Sequence, residues 1–403
     1  MLSSAVHDTF LVAAWLLALA WLRRAVEALV GIPTMLDLTE IARSALPPLA
    51  DQQSPHLTVV VPARDEGGSI EATLRSLLAQ TGIRLQIIAV DDRSTDGTGE
   101  TMDKLRGEAL SGPHVYEVLH VRALPEGWLG KPHALARGID QAKAPWLLFT
   151  DGDILFAPDA LHLALQVAIR EKADHFMLAP TLIAESWGER AIQATIQVLG
   201  NFVARPWKIG DPHAKDAFGV GGFGLVSRAA LAAIGGMERL RMEVVEDVGL
   251  GWLIKREAHR RSLMVLGPDL VRVRWLRGMF GIVKLLEKNA FAGMRFSVTM
   301  AVVVCIALLI DAFLPLAALG VGPWGVAAAV VMYAAVAIGI YANRRLNGLS
   351  SWLALAFAPA VLIMAWAFFR SMWLTLERGG VVWRGTLYPL KELKEGMASF
   401  RLR

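Results

Sequence analysis

Long apolar runs stand at the two ends of this chain, and between them short apolar runs alternate with amphipathic ones. The first long run is roughly Phe10 to Leu22, followed by Arg23 and Arg24. With Asp8 included it reaches roughly 20 residues, near a bilayer span. A cleaved signal peptide opens with positive charge, whereas this chain opens Met-Leu-Ser-Ser-Ala-Val-His-Asp and offers no clear small-x-small cleavage site. The pattern predicts a retained membrane anchor over 1–32, with the arginine pair on the cytoplasmic side. A linker over 33–56 follows, rich in Pro, Ser and Ala from Ile41 to Pro55.

From 57 to 277 the pattern is that of an α/β domain. Leu57-Thr-Val-Val-Val61, Leu85-Gln-Ile-Ile-Ala-Val90 and Trp146-Leu-Leu-Phe-Thr150 are short β-branched or apolar runs that predict buried strands. Ser69 to Gln80 has helical spacing (Ile70, Leu74, Leu77, Leu78), and the turn at Asp96-Gly97 precedes a helix running to about Leu105. Strands alternating with helices imply a mostly parallel sheet, whose ligands bind beyond the carboxyl ends of the strands. Asp91, Asp92, Asp151 and Asp153 fall there.

After Trp275 the character changes. Residues 278–298 mix apolar side chains with Lys284, Lys288 and Arg295. They predict either an amphipathic helix on a membrane surface or an ordinary helix packed on the domain. Three apolar runs follow within 299–374, roughly Thr299–Leu319, Trp324–Tyr341 and Trp352–Trp373, and predict two or three spans. Three full crossings would put the tail, 375–403, opposite the α/β domain. Yet that tail carries Arg378, Arg384, Lys391, Lys394, Arg401 and Arg403, which favour the cytoplasm. One run is then re-entrant, with Pro315 and Pro359 as candidate breaks.

Composition sharpens this picture. Apolar residues make up 54% of 403 and charged residues only 19%, an apolar excess concentrated at the ends. The net charge is +4 with Lys and Arg dispersed, and no basic run is interleaved with aromatics, so no nucleic-acid partner is expected. The single cysteine, Cys305, excludes an intrachain disulfide and a cysteine-based metal site, in keeping with a reducing compartment.

The chemistry concentrates at the strand ends. Asp151-Gly-Asp153 follows an apolar strand; a sugar diphosphate there would bring more negative charge to carboxylates that already repel one another. A divalent cation, Mg²⁺ or Mn²⁺, resolves the repulsion by bridging carboxylate and phosphate oxygens. Two aspartates in a loop are otherwise a turn. Asp91 and Asp92 suit the imide N–H of uracil and ribose hydroxyls, or else cap the following helix. Pro62, Arg64 and Glu66 lie in Val61-Pro-Ala-Arg-Asp-Glu66, where the first strand gives way to a helix and a nucleotide can be met. Lys131, in Gly127-Trp-Leu-Gly-Lys131, is a diphosphate partner that neutralises charge without demanding geometry. Glu246-Asp247 opens an apolar segment. Acidic residues at a helix start are often dipole partners only, but direct displacement onto a hydroxyl needs a base.

Together these elements resemble the family 2 glycosyltransferases. The resemblance runs through Val-Pro-Ala-Arg-Asp-Glu (61–66), Val-Asp-Asp-Arg-Ser-Thr-Asp-Gly (90–97), Gly-Lys (130–131), Asp-Gly-Asp (151–153), Gly-Gly-Phe-Gly-Leu-Val-Ser-Arg-Ala-Ala-Leu (221–231) and Glu-Asp (246–247). It implies a GT-A fold, a Rossmann-like mixed α/β sheet, a nucleotide-sugar donor such as a UDP-hexose, Mg²⁺ or Mn²⁺, and inversion at the anomeric carbon. It also implies that Asp91 contacts the base, Asp153 with Asp151 holds the metal, and Asp247, beside Glu246, is the catalytic base. The membrane layout is similar to ceramide, carotenoid and hopanoid-associated lipid glycosyltransferases, and Val382-Trp-Arg-Gly-Thr-Leu-Tyr388 resembles the Trp-Arg-x-x-x-Tyr tail of that group. Processive synthases and ceramide enzymes carry (Gln/Arg)-x-x-Arg-Trp; here Arg274-Trp275 stands with Val271 three positions before it, which argues against polymer synthesis. Arg274 and Trp275 are expected to border the donor diphosphate and the acceptor channel, or to be one face of an amphipathic helix. The expected reaction is hexosyl transfer to a hydroxyl of a lipid acceptor by a multi-pass protein of the cell membrane whose catalytic domain is cytoplasmic. A processive polysaccharide synthase and a polyprenyl-phosphate sugar transferase, which needs no base, are the alternatives; a degenerate scaffold would lack the carboxylates present here.

Overall fold

A computed structural model gives the fold and describes residues 4–41, 46, 49 and 54–398. The chain divides into two compact units: 1–35, 183–207 and 275–381 in the first, and 36–182, 208–274 and 382–403 in the second.

The second unit is built on a seven-stranded mixed sheet in the order β3-β2-β1-β4-β8-β6-β9. Its strands are β1 (Leu57–Ala63), β2 (Leu85–Asp92), β3 (Val115–Val121), β4 (Trp146–Phe149), β6 (His175–Leu178), β8 (Gly224–Ser227) and β9 (Ser262–Val265). A small sheet, β5-β10-β7, joins β5 (Ile154–Phe156), β7 (Thr181–Leu182) and β10 (Val271–Val273). β1 pairs in parallel with β2 and β4, and β2 with β3, so their carboxyl ends share one edge. Every residue of β1 and β2 is buried, as expected for unbroken apolar strands covered on both faces. The covers include α2 (Ile70–Leu78), α3 (Thr98–Ala109), α4 (Gly130–Gln141), α5 (Ala160–Arg170), α7 (Arg228–Ala233) and α8 (Glu246–Trp252). β8 runs antiparallel to both β4 and β6, which makes the sheet mixed. The chain order reverses at β1, between β2 and β4, the crevice where such sheets bind ligands.

The first unit holds α1 (Ser4–Gly31), α6 (Trp187–Val203), α9 (Gly281–Gly293), α10 (Val298–Ala318), α11 (Gly322–Ala342), α12 (Arg344–Asn347) and α13 (Phe357–Glu377). Among the described residues, four helices are long and apolar enough to cross a membrane: those over 5–34, 298–318, 322–342 and 351–377. On α10, Val303, Ile306, Ile310 and Phe313 are exposed, a surface suited to lipid. Trp21 of α1 donates its indole N–H to Asp311 of α10 at 3.0 Å, so the one carboxylate of that helix has a partner. Glu287 of α9 pairs with Arg378 at 2.9 Å and with Arg370 of α13. Within the 278–298 segment, α9 is thus a helix with charged contacts to its neighbour.

Four differences from the sequence reading follow from packing. The proposed linker already joins the sheet unit at Leu36: Leu36 and Leu38 bond to Leu266, and Leu38 is buried. Its residues 42–45, 47–48 and 50–53 lie outside the described residues, as do 1–3 and the tail's Arg401 and Arg403. Residues 183–207, placed in a continuous 57–277 domain, belong to the helical unit, because Ala191, Ala194 and Val198 of α6 join the core of α1, α11 and α13. The basic tail is not separate. Beyond β11 (Gly380–Trp383), residues 382–398 belong to the sheet unit through β12 (Thr386–Pro389) and α14 (Leu390–Gly396). Pro315 and Pro359 break nothing: α10 runs through Pro315, and Pro359 sits in the first turn of α13, where a missing N–H costs no helical bond.

Candidate active site

The parallel strands deliver their acidic ends to one place. β4 ends at Phe149 and is followed by Thr150, whose hydroxyl donates to the Gly222 carbonyl at 2.8 Å, then by Asp151. Lys131, in the first turn of α4, points its ammonium between Asp151 Oδ1 at 2.6 Å and Glu246 Oε1 at 2.7 Å. Burial acts to lower the affinity of Lys131 for its proton, but Asp151, Glu246 and Asp247 outweigh it, and its pKa lies well above a lysine's ordinary value. Asp247 stands beside them in the first turn of α8, with Oδ1 accepting the Val248 N–H at 2.8 Å. Burial first, and the Glu246 charge second, push its carboxyl up to about 6.

Glycines admit this crowding. A methyl group on Gly221 would stand 3.2 Å from Asp151 Oδ2, 3.2 Å from Asp247 Oδ2 and 3.5 Å from Lys131 Nζ, so the bare Cα borders all three. On Gly219 it would lie 1.7 Å from the Asp247 carbonyl oxygen. The 219–221 loop therefore rests directly on the start of α8. A small cleft opens here, lined by Lys131, Thr150, Gly221, Glu246 and Asp247 among others.

Asp153 precedes β5 and is pushed up to about 6, by burial first, then by the charges of Asp151 and Glu66. Val273 pairs with Ile154 in the antiparallel β5–β10 ladder, so Arg274 is the next residue along, beside Asp153. Trp275 falls in the helical unit and is exposed. Among the described residues no three His, Cys, Asp or Glu side chains gather as a ready-made metal cage.

The two aspartates of β2 are held by the protein itself. Asp91 Oδ1 accepts the Ser94 N–H at 3.1 Å, and Oδ2 meets His120 Nδ1 at 3.0 Å. His120 reaches Asp103 through its other nitrogen at 3.1 Å, and its pKa is raised, chiefly by the bond to Asp91. Asp92 takes a bidentate pair from Arg93, at 2.8 and 3.0 Å. The loop after β1 laces onto the loop after β2. Asp65 N–H donates to Ser94 Oγ at 3.1 Å, and Glu66 N–H to Thr98 Oγ1 at 2.9 Å. Pro62 lies in β1, while Arg64 Nη1 donates to Thr386 Oγ1 at 3.2 Å.

Lys131, Asp151, Glu246 and Asp247 thus share one cluster, with Asp153 and Glu66 near enough to act on each other's charge. Asp91 and Asp92 stand at the same edge in their own ion pairs. Sequence reasoning missed His120, Arg93, Arg384 and Tyr388; the tail motif was the signal available for the last two.

Residues 58–235 match the family described as Glycosyl transferase family 2. The chain is 27% identical over 118 residues to an uncharacterized glycosyltransferase, YibD, of Escherichia coli, covering 29% of this chain and 32% of that one. It is 30% identical over 117 residues to a 4,4'-diaponeurosporenoate glycosyltransferase of Staphylococcus haemolyticus, covering 29% of each. It spans about a third of the length of these relatives. Among solved structures it is similar to the mannosyltransferase PcManGT of Pyrobaculum calidifontis in complex with GDP-Man and Mn²⁺, with a TM-score of 0.53 and 17% identity, covering 90% of this chain and 99% of that one. At that identity the likeness is one of fold, a GT-A fold.

Proposed function

We propose that the family 2 glycosyltransferase domain of this chain moves a hexose from a nucleoside-diphosphate sugar to a hydroxyl of a membrane lipid, with inversion at the anomeric carbon. The observation that carries this reading is the cluster at the sheet's carboxyl edge: a part-buried ammonium clamped between Asp151 and Glu246, with the raised carboxyl of Asp247 beside it. The PcManGT complex with GDP-Man supports a nucleotide-sugar donor.

Lys131 stays charged and suits the donor diphosphate, whose negative charge it neutralises in the bound donor and in the departing group alike. Asp247, pushed up to about 6, is more basic than an ordinary aspartate, as a base for a weakly acidic hydroxyl requires. The Val248 N–H fixes one of its oxygens and leaves the other beside Gly221. Asp151 and Asp153 fit Mg²⁺ or Mn²⁺. Two carboxylates completed by substrate phosphates and water suit such ions; Asp153 is raised by burial first and by the Asp151 charge second, and a cation relieves that second contribution. Bound there, the ion would supply Lewis-acid stabilisation of the leaving diphosphate.

Four apolar helices support an acceptor that stays in the bilayer and a multi-pass protein of the cell membrane. Residues 208–274 and 382–403 belong to one unit, which supports an even number of complete crossings between them. With the catalytic domain in the cytoplasm, α10 and α11 cross as a pair and return Arg344 and Arg345 to that side, in keeping with the positive-inside rule. α13, whose Arg370 pairs with Glu287, then leaves its crossing incomplete. Mass spectrometry of host membranes with and without the protein tests the reaction. A hexose-sized gain on one lipid class is expected; unchanged lipids alongside a newly glycosylated soluble product would refute the lipid acceptor.

A further inference from the structure

Three loops carry the side chains assigned to the donor: 64–66 after β1, 91–93 after β2, and Gly130–Lys131 at the start of α4. The C-terminal segment 382–389 touches all three. Arg384 Nη1 donates to the Asp65 carbonyl at 3.1 Å, and the same guanidinium pairs with Glu66. Thr386 accepts from Arg64 at 3.2 Å. The Tyr388 hydroxyl accepts the Gly130 N–H at 3.3 Å, and the Arg93 guanidinium lies against the same oxygen. Tyr388 is 6% exposed, so a side chain near the end of the chain is buried among the donor loops.

The turn that aims these residues is held under strain. β11 and β12 form a hairpin whose connecting residues, Arg384 and Gly385, both have positive φ, 49° and 77°. Such a turn favours Asn-Gly or Gly-Gly, and a long side chain in its first position is disfavoured. Arg384 holds that conformation while bonded to Asp65 and Glu66, and strain of this kind collects where neighbours over-determine a functional geometry.

We propose that this hairpin is a strap that positions the donor loops, with Tyr388 a positioning residue for Lys131 and Arg384 its anchor at the end of β1. The proposal rests on the nucleotide-sugar reading of the site. Gly130 N–H is one of the orphan donors at the start of α4, and Tyr388 satisfies it. That bond fixes the turn from which Lys131 reaches Asp151 and Glu246. Gly130 borders Asp92 on one side, where a methyl group would lie 2.4 Å from Asp92 Oδ2, and the Tyr388 bond is what holds its N–H. Loosening the Tyr388 contact therefore lets the Lys131 turn shift relative to both carboxylates. A diphosphate contact made in ground and transition state alike is lost as donor KM rather than as kcat.

The test uses full-length Tyr388→Phe, which removes one oxygen, and Arg384→Gln, which releases the anchor. Donor KM should rise about fivefold to tenfold in Tyr388→Phe with kcat within about twofold, the scale of one buried hydrogen bond. Hydrogen exchange, which needs no donor, should quicken by about fivefold or more across 128–135 in both variants. Wild-type exchange rates at 128–135 overturn the strap whatever the kinetics show, as does a lowered melting temperature with unchanged donor KM. If the wild-type protein turns over no nucleotide sugar, the donor reading fails and exchange alone decides the strap: faster exchange upholds it, wild-type exchange ends it.

Discussion

Replacing Lys131 with Met keeps the length of the side chain and deletes its charge. The ammonium touches Asp151 Oδ1 at 2.6 Å and Glu246 Oε1 at 2.7 Å. Glu246 is only 8% exposed, so losing the lysine strands a carboxylate that water barely reaches, whereas Asp151, 38% exposed, recovers much of its solvation. Breaking a buried pair from one side costs about 3–5 kcal/mol, and the exposure of Asp151 puts this case at the low end, about 3 kcal/mol. For a folding unit of about 150–250 residues that corresponds to roughly 6–12 °C in melting temperature. The assay is intrinsic tryptophan fluorescence of detergent-purified protein on heating, for wild type, Lys131→Met, Glu246→Gln and the double variant. Glu246→Gln in the Lys131→Met background should recover at least about half of the loss, because the stranded charge is gone. A single variant melting within about 2 °C of wild type, or a double variant that loses the sum of the two, would refute the clamp.

The remaining predictions concern the same corner of the molecule. Asp247→Asn should lower kcat by about 10²–10⁴ without loss of folding, the usual worth of a general base; near-normal turnover would remove that role. With Asp247 as the proposed base, its carboxyl pushed up to about 6, kcat should climb as pH rises through about 6 and level off above it. Glu246→Gln removes the second cause of that elevation, so the rising limb of its residual activity should move to lower pH; a shift to higher pH contradicts the assignment. Gly219→Ala brings a methyl group to 1.7 Å from the Asp247 carbonyl oxygen and should displace the start of α8, with severe loss of folded protein, whereas Gly68→Ala meets nothing within 4 Å and should melt like wild type.

The parts of the fold legible in the sequence were those written in local pattern. Unbroken apolar runs gave β1, β2 and β4, and the acidic residues just past them marked the edge where Lys131, Asp151, Glu246 and Asp247 meet. β3 went unread because an edge strand is only half covered; Glu117 and His120 interrupt its apolar run without cost. The assignment of α6 to the helical unit was hidden for another reason. Its apolar stripe states that one face is buried but not against what. The tail is the clearest case. Tyr388 meets Gly130 across 258 positions and Arg64 meets Thr386 across 322, and pairings over such separations leave no trace in periodicity. Only the resemblance of the tail motif hinted that these residues matter. The partners of Asp91 and Asp92 were equally invisible, since His120 and Arg93 are ordinary surface residues until the parallel β2–β3 register sets Asp91 opposite His120.

We propose that the carboxyl edge of this sheet takes a nucleotide sugar and passes its hexose to a lipid. Purified protein given radiolabelled UDP- and GDP-hexoses, Mn²⁺ and membrane lipid extract tests it in one tube. Label in the organic phase matched mole for mole by nucleoside diphosphate is expected, with loss of both in folded Asp153→Ala. No release of nucleoside diphosphate from any donor, or equal release by Asp153→Ala, would contradict it.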